Sequence, residues 1–457
     1  MQDDKLSLIT DYTISNNQEL DEIANNLQNS HFTNLQILRI NNCNNERLEG
    51  TRIMLQNFID KLWNRSHKLQ VINIQDCSLF YFCSERGTEY GKIFTQLKEL
   101  KLIKVDLRYI WLYDNPEFLD LGNLQILHII HVSSLEYIFE EYPVEKLHQL
   151  KELIIEKCEA LSTVFWKGGP RSNFPSLSKL EFKSLPQLRQ IYPDHLQFPS
   201  LKSLMIETCP LLTKFTTGFA DSHEMFTTDG ESFFELNEIV FDSYDNMVCV
   251  ISSKTLQELM NLKKLFVSHC KELKIIFKIH EEIPSSTQLL QQLSELALIH
   301  LPKLTCIVNK QVFRFYQNLK ILQVKQCKSL TMLQVPLKLT NLEICDCEAL
   351  DTIIITKEEE EEGIREKLTF HELKDVSLEN LPSLSIIFPS ISEFPSLQTL
   401  KIANCSTMIS FIEDSRALQE SSTTNYLFPS PVSFNYKLFI VYFTCMDISC
   451  FPLLVST

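Results

Sequence analysis

Glycine is scarce in this chain, at 9 of 457 residues. So few glycines leave little room for a fold that cradles phosphate in glycine-rich loops. No G-x-x-x-x-G-K-[ST] stretch, no G-x-S-x-G elbow and no H-E-x-x-H pair occurs, so the commonest nucleotide, hydrolase and zincin motifs are missing. Positive charge is short as well: 43 Lys and Arg stand against 58 Asp and Glu, for a formal net charge of -15. No basic stripe is present, which disfavours nucleic acid and anionic membrane surfaces as partners. A secretory leader is not the expectation either, because Met1-Gln-Asp-Asp-Lys5 opens acidic with no apolar run behind it. A cytoplasmic or nuclear location is the expectation that follows.

Cysteine is plentiful, with 14 residues, yet a disulfide framework is not the expectation. Eight of them (Cys43, Cys77, Cys158, Cys209, Cys270, Cys327, Cys347, Cys405) fall at one fixed position of a repeat. A small buried apolar group is wanted there, and a reduced thiol serves as one.

The repeating unit is clearest at Phe198-Pro-Ser-Leu-Lys-Ser-Leu-Met-Ile-Glu-Thr-Cys-Pro-Leu-Leu212. Its middle reads as a short strand, with Leu204 and Ile206 on one face and Ser203, Met205 and Glu207 on the other. Leu201, Cys209 and Leu212 are expected to turn inward at its two ends. Fourteen copies can be marked by their first leucine: Leu35, Leu69, Leu97, Leu124, Leu150, Leu177, Leu201, Leu236, Leu262, Leu293, Leu319, Leu339, Leu373 and Leu397. Their mean spacing is about 28 residues, within the range of stacked repeats, and one such unit cannot bury its apolar face alone. Insertions fall between the ending of one copy and the start of the next. Residues 46–66 carry an apolar helical period, whereas 216–232, 280–287 and the acidic 357–366 read as polar loops. The organisation expected is a worn first repeat or cap over 1–30, a solenoid over 31–415, and an apolar non-repeat tail over 416–457. The tail's 438–455 run barely reaches spanning length and holds Asp447 and Pro452, so a membrane anchor is disfavoured.

The strand period puts one residue per repeat in a central outward column. Within it Met205, Val240, Phe266 and Ala297 are apolar over four consecutive repeats, with Ile299 beside them. An exposed apolar stripe of this kind marks a candidate protein-binding site. The flanking columns predict lateral ion pairs: Glu152 with Lys179, Glu238 and Glu295 with Lys264, and Glu156 and Glu207 with Lys183. Catalytic, cofactor and metal residues are not found. Cys345-Asp-Cys347 is too tight for a metal knuckle, and the strand period sends its two thiols to opposite faces.

The grammar L-x-x-L-x-I-x-x-C-x-x-L-x-x-I-F resembles the leucine-rich-repeat region of plant coiled-coil nucleotide-binding disease-resistance proteins. The residues that carry the resemblance are the entries Phe174-Pro-Ser-Leu177, Phe198-Pro-Ser-Leu201 and Phe394-Pro-Ser-Leu397. The endings Leu161-Ser-Thr-Val-Phe165, Leu273-Lys-Ile-Ile-Phe277 and Leu384-Ser-Ile-Ile-Phe388 match as well. The resemblance covers roughly residues 31–412. It implies an α/β repeat solenoid, a leucine-rich-repeat arc with a parallel β-sheet on the concave face and irregular or short helical convex segments. It also implies a non-enzymatic recognition module without a cofactor. The partner would be a pathogen effector, a guarded host protein or a nucleotide-binding domain not present in this sequence. That family's coiled-coil and nucleotide-binding domains do not appear here, which leaves a fragment, a truncated gene product and a stand-alone module all open. The alternative is a substrate-recruiting subunit of a ubiquitin ligase, whose repeats share L-x-x-L-x-L-x-x-C. Those usually continue into an Ile-Thr-Asp turn, where this chain has Glu159-Ala-Leu-Ser-Thr-Val-Phe165.

Overall fold

A leucine that opens each repeat has to be buried, and the strand that follows has to find a neighbour for its backbone. The computed structural model meets both needs in the same way each time. It describes residues 8–25, 32–43, 49–84, 93–112, 119–139, 144–165, 172–191, 196–212, 233–245, 247–279, 289–309, 315–356, 368–388, 392–407, 410–412 and 440–444. All fourteen marker leucines are buried, and a strand begins two residues after each. The polar insertions at 216–232, 280–287 and 357–366 lie outside the described residues, as does most of the tail.

The chain divides into two compact units, residues 1–236 and 237–457. In the first, eight parallel strands follow one another in chain order: β1 (Asp11–Ile14), β2 (Ile37–Asn41), β3 (Val71–Ser78), β4 (Glu99–Asp106), β5 (Ile126–Ile130), β6 (Glu152–Glu156), β7 (Lys179–Lys183) and β8 (Ser203–Glu207). The second unit repeats the plan with β9 (Glu238–Asp242), β10 (Lys264–Ser268), β11 (Glu295–Ile299), β12 (Ile321–Lys325), β13 (Asn341–Cys345), β14 (Asp375–Glu379), β15 (Thr399–Ala403) and β16 (Ile440–Thr444). Thus a strand precedes the first clear repeat, and five tail residues pair in parallel with β15. Burial alternates along the strands, as in Ser203–Glu207, where only Leu204 and Ile206 are buried.

The entry turn is closed by a backbone bond from the marker leucine to the residue three before it, as in Leu201 N–H to the Phe198 carbonyl at 3.2 Å. The entry phenylalanines stack on one another, Phe174 on Phe198 at 5.8 Å and Phe370 on Phe394 at 5.2 Å between ring centroids. At the exit the residue after the strand takes a positive φ, 52° at Thr208 and 53° at Lys157. Its N–H then reaches the last carbonyl of the next strand: Lys157 to Lys183 at 2.8 Å, and His269 to Ile299 at 2.9 Å. None of these positions is a glycine, so each carries the roughly 1–2 kcal/mol cost of a left-handed L-residue.

That turn drives the next residue inward, and this is where the cysteines sit. Seven of the eight repeat cysteines are buried, and Cys405 is half-buried. Cys209 Sγ lies 3.4 Å from the Glu207 carbonyl and 3.8 Å from that of Phe182 in the preceding repeat, within reach for its weak S–H donor. Burial pushes the thiols of Cys158, Cys209 and Cys270 up to about 12. All twelve cysteines in the described residues are free.

Where irregular or short helical segments were expected, the I-F endings form a second set of short parallel strands. Tyr137–Phe139 pairs with Thr163–Phe165, and Cys249–Ser252, Ile275–Lys278 and Cys306–Val308 form a triple. Their β-branched and aromatic runs favour the extended backbone. Helices occur in the early insertion, where α2 spans Glu49–Trp63, and before the first clear repeat, where α1 spans Asn17–Asn25. The α1 N-terminus is capped by Asn16, whose Oδ1 accepts from Glu19 N–H at 3.0 Å. Helix α2 buries Leu55, Phe58, Ile59 and Leu62.

Three outcomes are expected. Leu265→Ala, at a position 1% exposed, should lower unfolding free energy by roughly 2–5 kcal/mol in urea titration. Thr208→Gly should raise it by about 0.5–1 kcal/mol, because a β-branched residue is strained at that φ; an unchanged or lower midpoint would count against the strain. At pH 8, iodoacetamide should label Cys158, Cys209 and Cys270 only after denaturation, as read by peptide mass mapping, since the thiolate is the nucleophile. Labelling of the folded chain at the denatured rate would contradict inert, packed thiols.

Candidate functional site

The fixed register turns each outward strand position into a column. In the second unit Val240 pairs with Phe266, Phe266 with Ala297, and Ala297 with Gln323. All three apolar side chains are half-buried, and Ile299 occupies the neighbouring column, opposite Ser268. Met205 belongs to the first unit, where it pairs with Glu181. The three central residues and Ile299 therefore form one patch over β9–β11.

Lys264 faces Glu295 as the sequence suggests, at 3.1 Å. In the first unit the expected lateral pairs are replaced. Lys179 and Lys183 both turn to Glu181 on their own strand, at 2.9 Å each, rather than to Glu152, Glu156 or Glu207. Outward residues two apart on a strand are separated by about 7 Å, well within the reach of lysine. Glu181 is only 8% exposed, so it is the carboxylate that most needs compensation. Burial raises its pKa, but hydrogen bonds from Lys183 and Lys179 outweigh this and hold it below its ordinary value. Glu152 instead lies 3.4 Å from His128 Nε2, and burial with the nearby Lys101 ammonium lowers the pKa of that histidine.

Two features escaped the sequence reading. Ile103 pairs with Ile130 in an outer column, Ile126 stands at the other end of Ile130's strand, and Ile154 lies on the next strand, giving the first unit apolar outward positions of its own. The signal was present in Ile126-Leu-His-Ile-Ile130, where both outward ends are isoleucine, but a reading confined to the central column passes over it. The second is a depression of about 340 Å³ across β12–β15, floored by the strand backbone at Leu322, Leu342 and Val376 and rimmed by Gln323, Glu343, Asp375 and Lys401.

One cluster carries the residue types of a catalytic triad. Asp242 Oδ1 accepts from Ser268 Oγ and lies 2.7 Å from His269 Nδ1, while Oδ2 accepts from Ser243 Oγ at 3.0 Å. Burial raises the Asp242 pKa, but these hydrogen bonds hold it below its usual range. Serine and histidine meet the same carboxylate oxygen, and a nucleophile needs its base directly on its own hydroxyl. This is a rim clasp between β9 and β10. Among the described residues no group of three His, Cys, Asp or Glu could hold a metal ion, and no helix is long and apolar enough to cross a membrane.

The chain matches the family model described as plant disease resistance protein RPS2-like, leucine-rich repeats, over residues 8–159, 221–337 and 331–419. It is similar to a probable disease resistance protein of Arabidopsis thaliana, 28% identical over 175 residues, 36% of this chain and 18% of that protein. A putative disease resistance protein of the same plant is 25% identical over 150 residues, 32% of this chain and 12% of its own length. The chain thus spans less than a fifth of the relatives it matches. Among solved structures, a leucine-rich-repeat protein of Leptospira interrogans covers 90% of this chain and 86% of its own, at 17% identity and a TM-score of 0.44. These comparisons give the ligase-subunit reading no support. The family match extends over most of the repeats whose turns, strands and buried cysteines are laid out above, and the chain belongs to the plant disease resistance protein RPS2-like leucine-rich-repeat family.

Proposed function

We propose that this chain is the protein-recognition region of a plant disease-resistance protein and that it binds its partner through the patch of Val240, Phe266, Ala297 and Ile299. The observation that carries the reading is the column itself. Three apolar side chains stand in register on three adjacent strands, half-buried on the outward face. The core already has its own leucines, so packing does not require them, and an apolar stripe with a charged border suits the centre of a protein interface. Met205 and the Ile103–Ile130 patch are the corresponding apolar positions of the first unit.

The partner is a protein: a pathogen effector, a guarded host protein or a nucleotide-binding domain. In a longer resistance protein of this family the same region would also restrain a nucleotide-driven switch.

The test is partner capture in leaf tissue by the tagged chain with crosslinking. Phe266→Glu should reduce capture by about tenfold or more, the effect of removing an interface hot spot, while the circular dichroism melt stays within a degree or so of the parent. Undiminished capture overturns the assignment. Loss with Ile130→Glu in its place would move the site to the first unit.

A further inference from the structure

The outward faces of β9–β15 carry six carboxylates, on Glu238, Asp242, Glu295, Glu343, Asp375 and Glu379, against three lysines. Most of these are already matched. Lys264 pairs with Glu295, Lys325 with Glu343 at 2.7 Å, and Lys401 with Glu379 at 2.7 Å. Glu343 spends its second oxygen on Gln323 Nε2 at 3.0 Å. Asp375 differs: its Oδ2 accepts from the neutral Asn341 amide at 2.8 Å, and among the described residues no lysine or arginine pairs with it. It stands at the rim of the 340 Å³ depression, between the short side chains of Asn341 and Thr399. Ile321 adds an apolar wall, and the floor is the strand backbone at Leu342 and Val376, whose side chains are buried on the other face.

We infer that this depression takes one lysine or arginine side chain of an extended, basic segment of the protein partner whose apolar residue lies on Phe266. The inference rests on the recognition role proposed above and names the chemistry of the partner. The aliphatic stem would lie along Ile321, and the cationic head would meet Asp375. A long cation that packs its methylenes while its head stays near water fits a pocket of this composition. The volume is at the lower end of ligand-holding pockets, which suits one side chain better than a whole small molecule. Asp375 on β14 follows Phe266 on β10 by four strands, or roughly 19 Å, which an extended peptide covers in about six residues.

The experiment displays random linear peptides to the full chain and reads the enriched sequences, then measures their affinities. Enriched peptides should pair an apolar residue with Lys or Arg about four to six residues away. Asp375→Asn, which keeps the shape of the side chain, should weaken them about 10- to 100-fold, the range for losing a charge-assisted hydrogen bond. Asp375→Lys should abolish the basic preference, with a melt recorded for both variants. Peptides that bind Asp375→Asn as tightly as the parent overturn the inference. If those same peptides still lose affinity for Phe266→Glu, the recognition patch stands and only the depression is misassigned. Failure to enrich any peptide overturns both.

Discussion

Everything on the outward face depends on how the chain leaves each strand. The residue after the strand goes to positive φ, its N–H satisfies the last carbonyl of the following strand, and the next side chain is thrown into the core. Without that turn the cysteine or leucine behind it would continue outward by the two-residue period. The left-handed backbone costs of order 1 kcal/mol each time. Burial of the leucine and cysteine that follow returns roughly 1.5–3 kcal/mol per large side chain, but only when a neighbouring repeat supplies the other wall. Strain and packing are therefore coupled repeat to repeat, and a single unit would have the cost without the return.

Because backbone and core fix the register, the outward side chains are relieved of structural duty. Their chemistry can then vary from strand to strand without moving the sheet. In the first unit this freedom is spent on cancellation around Glu181, where two lysines converge on the most buried carboxylate. The second unit runs differently. Its central column passes from Val240, Phe266 and Ala297 to Gln323, Glu343, Ser377 and Lys401. An apolar end grades into a polar one along a single column.

How far this could be read from sequence depends on the distance over which each feature is encoded. The marker leucines, the strand faces and the inward cysteines are set by offsets of a few residues, so Leu201, Leu204, Ile206 and Cys209 were legible. The alignment of Val240, Phe266 and Ala297 was legible for the same reason, since a constant register carries each beside the next. The left-handed exits were not. Asn42, Lys157, Thr208 and His269 share that backbone but no chemistry, and without glycine nothing in the letters marks them. The lysine pairings of the first unit failed because a flexible side chain chooses among carboxylates at similar reach, and the choice at Glu181 was made by burial. The depression was invisible because it arises where Asn341, Ser377 and Thr399, from three different repeats, are all short.

The spacing of the sheet also limits what a partner can look like. Strands lie about 4.8 Å apart, whereas an extended chain crossing them presents same-side residues about every 7 Å. The two spacings fall back into step after three strands and four residues, near 14 Å, and contacts between them fall between columns. A chain laid across β9–β15 can thus be gripped firmly at two places about three repeats apart and only loosely in the middle. Phe266 on β10 and the β13 side of the depression are such a pair. The intervening positions, Ala297 and Gln323, are small or adaptable, as a loosely held middle requires.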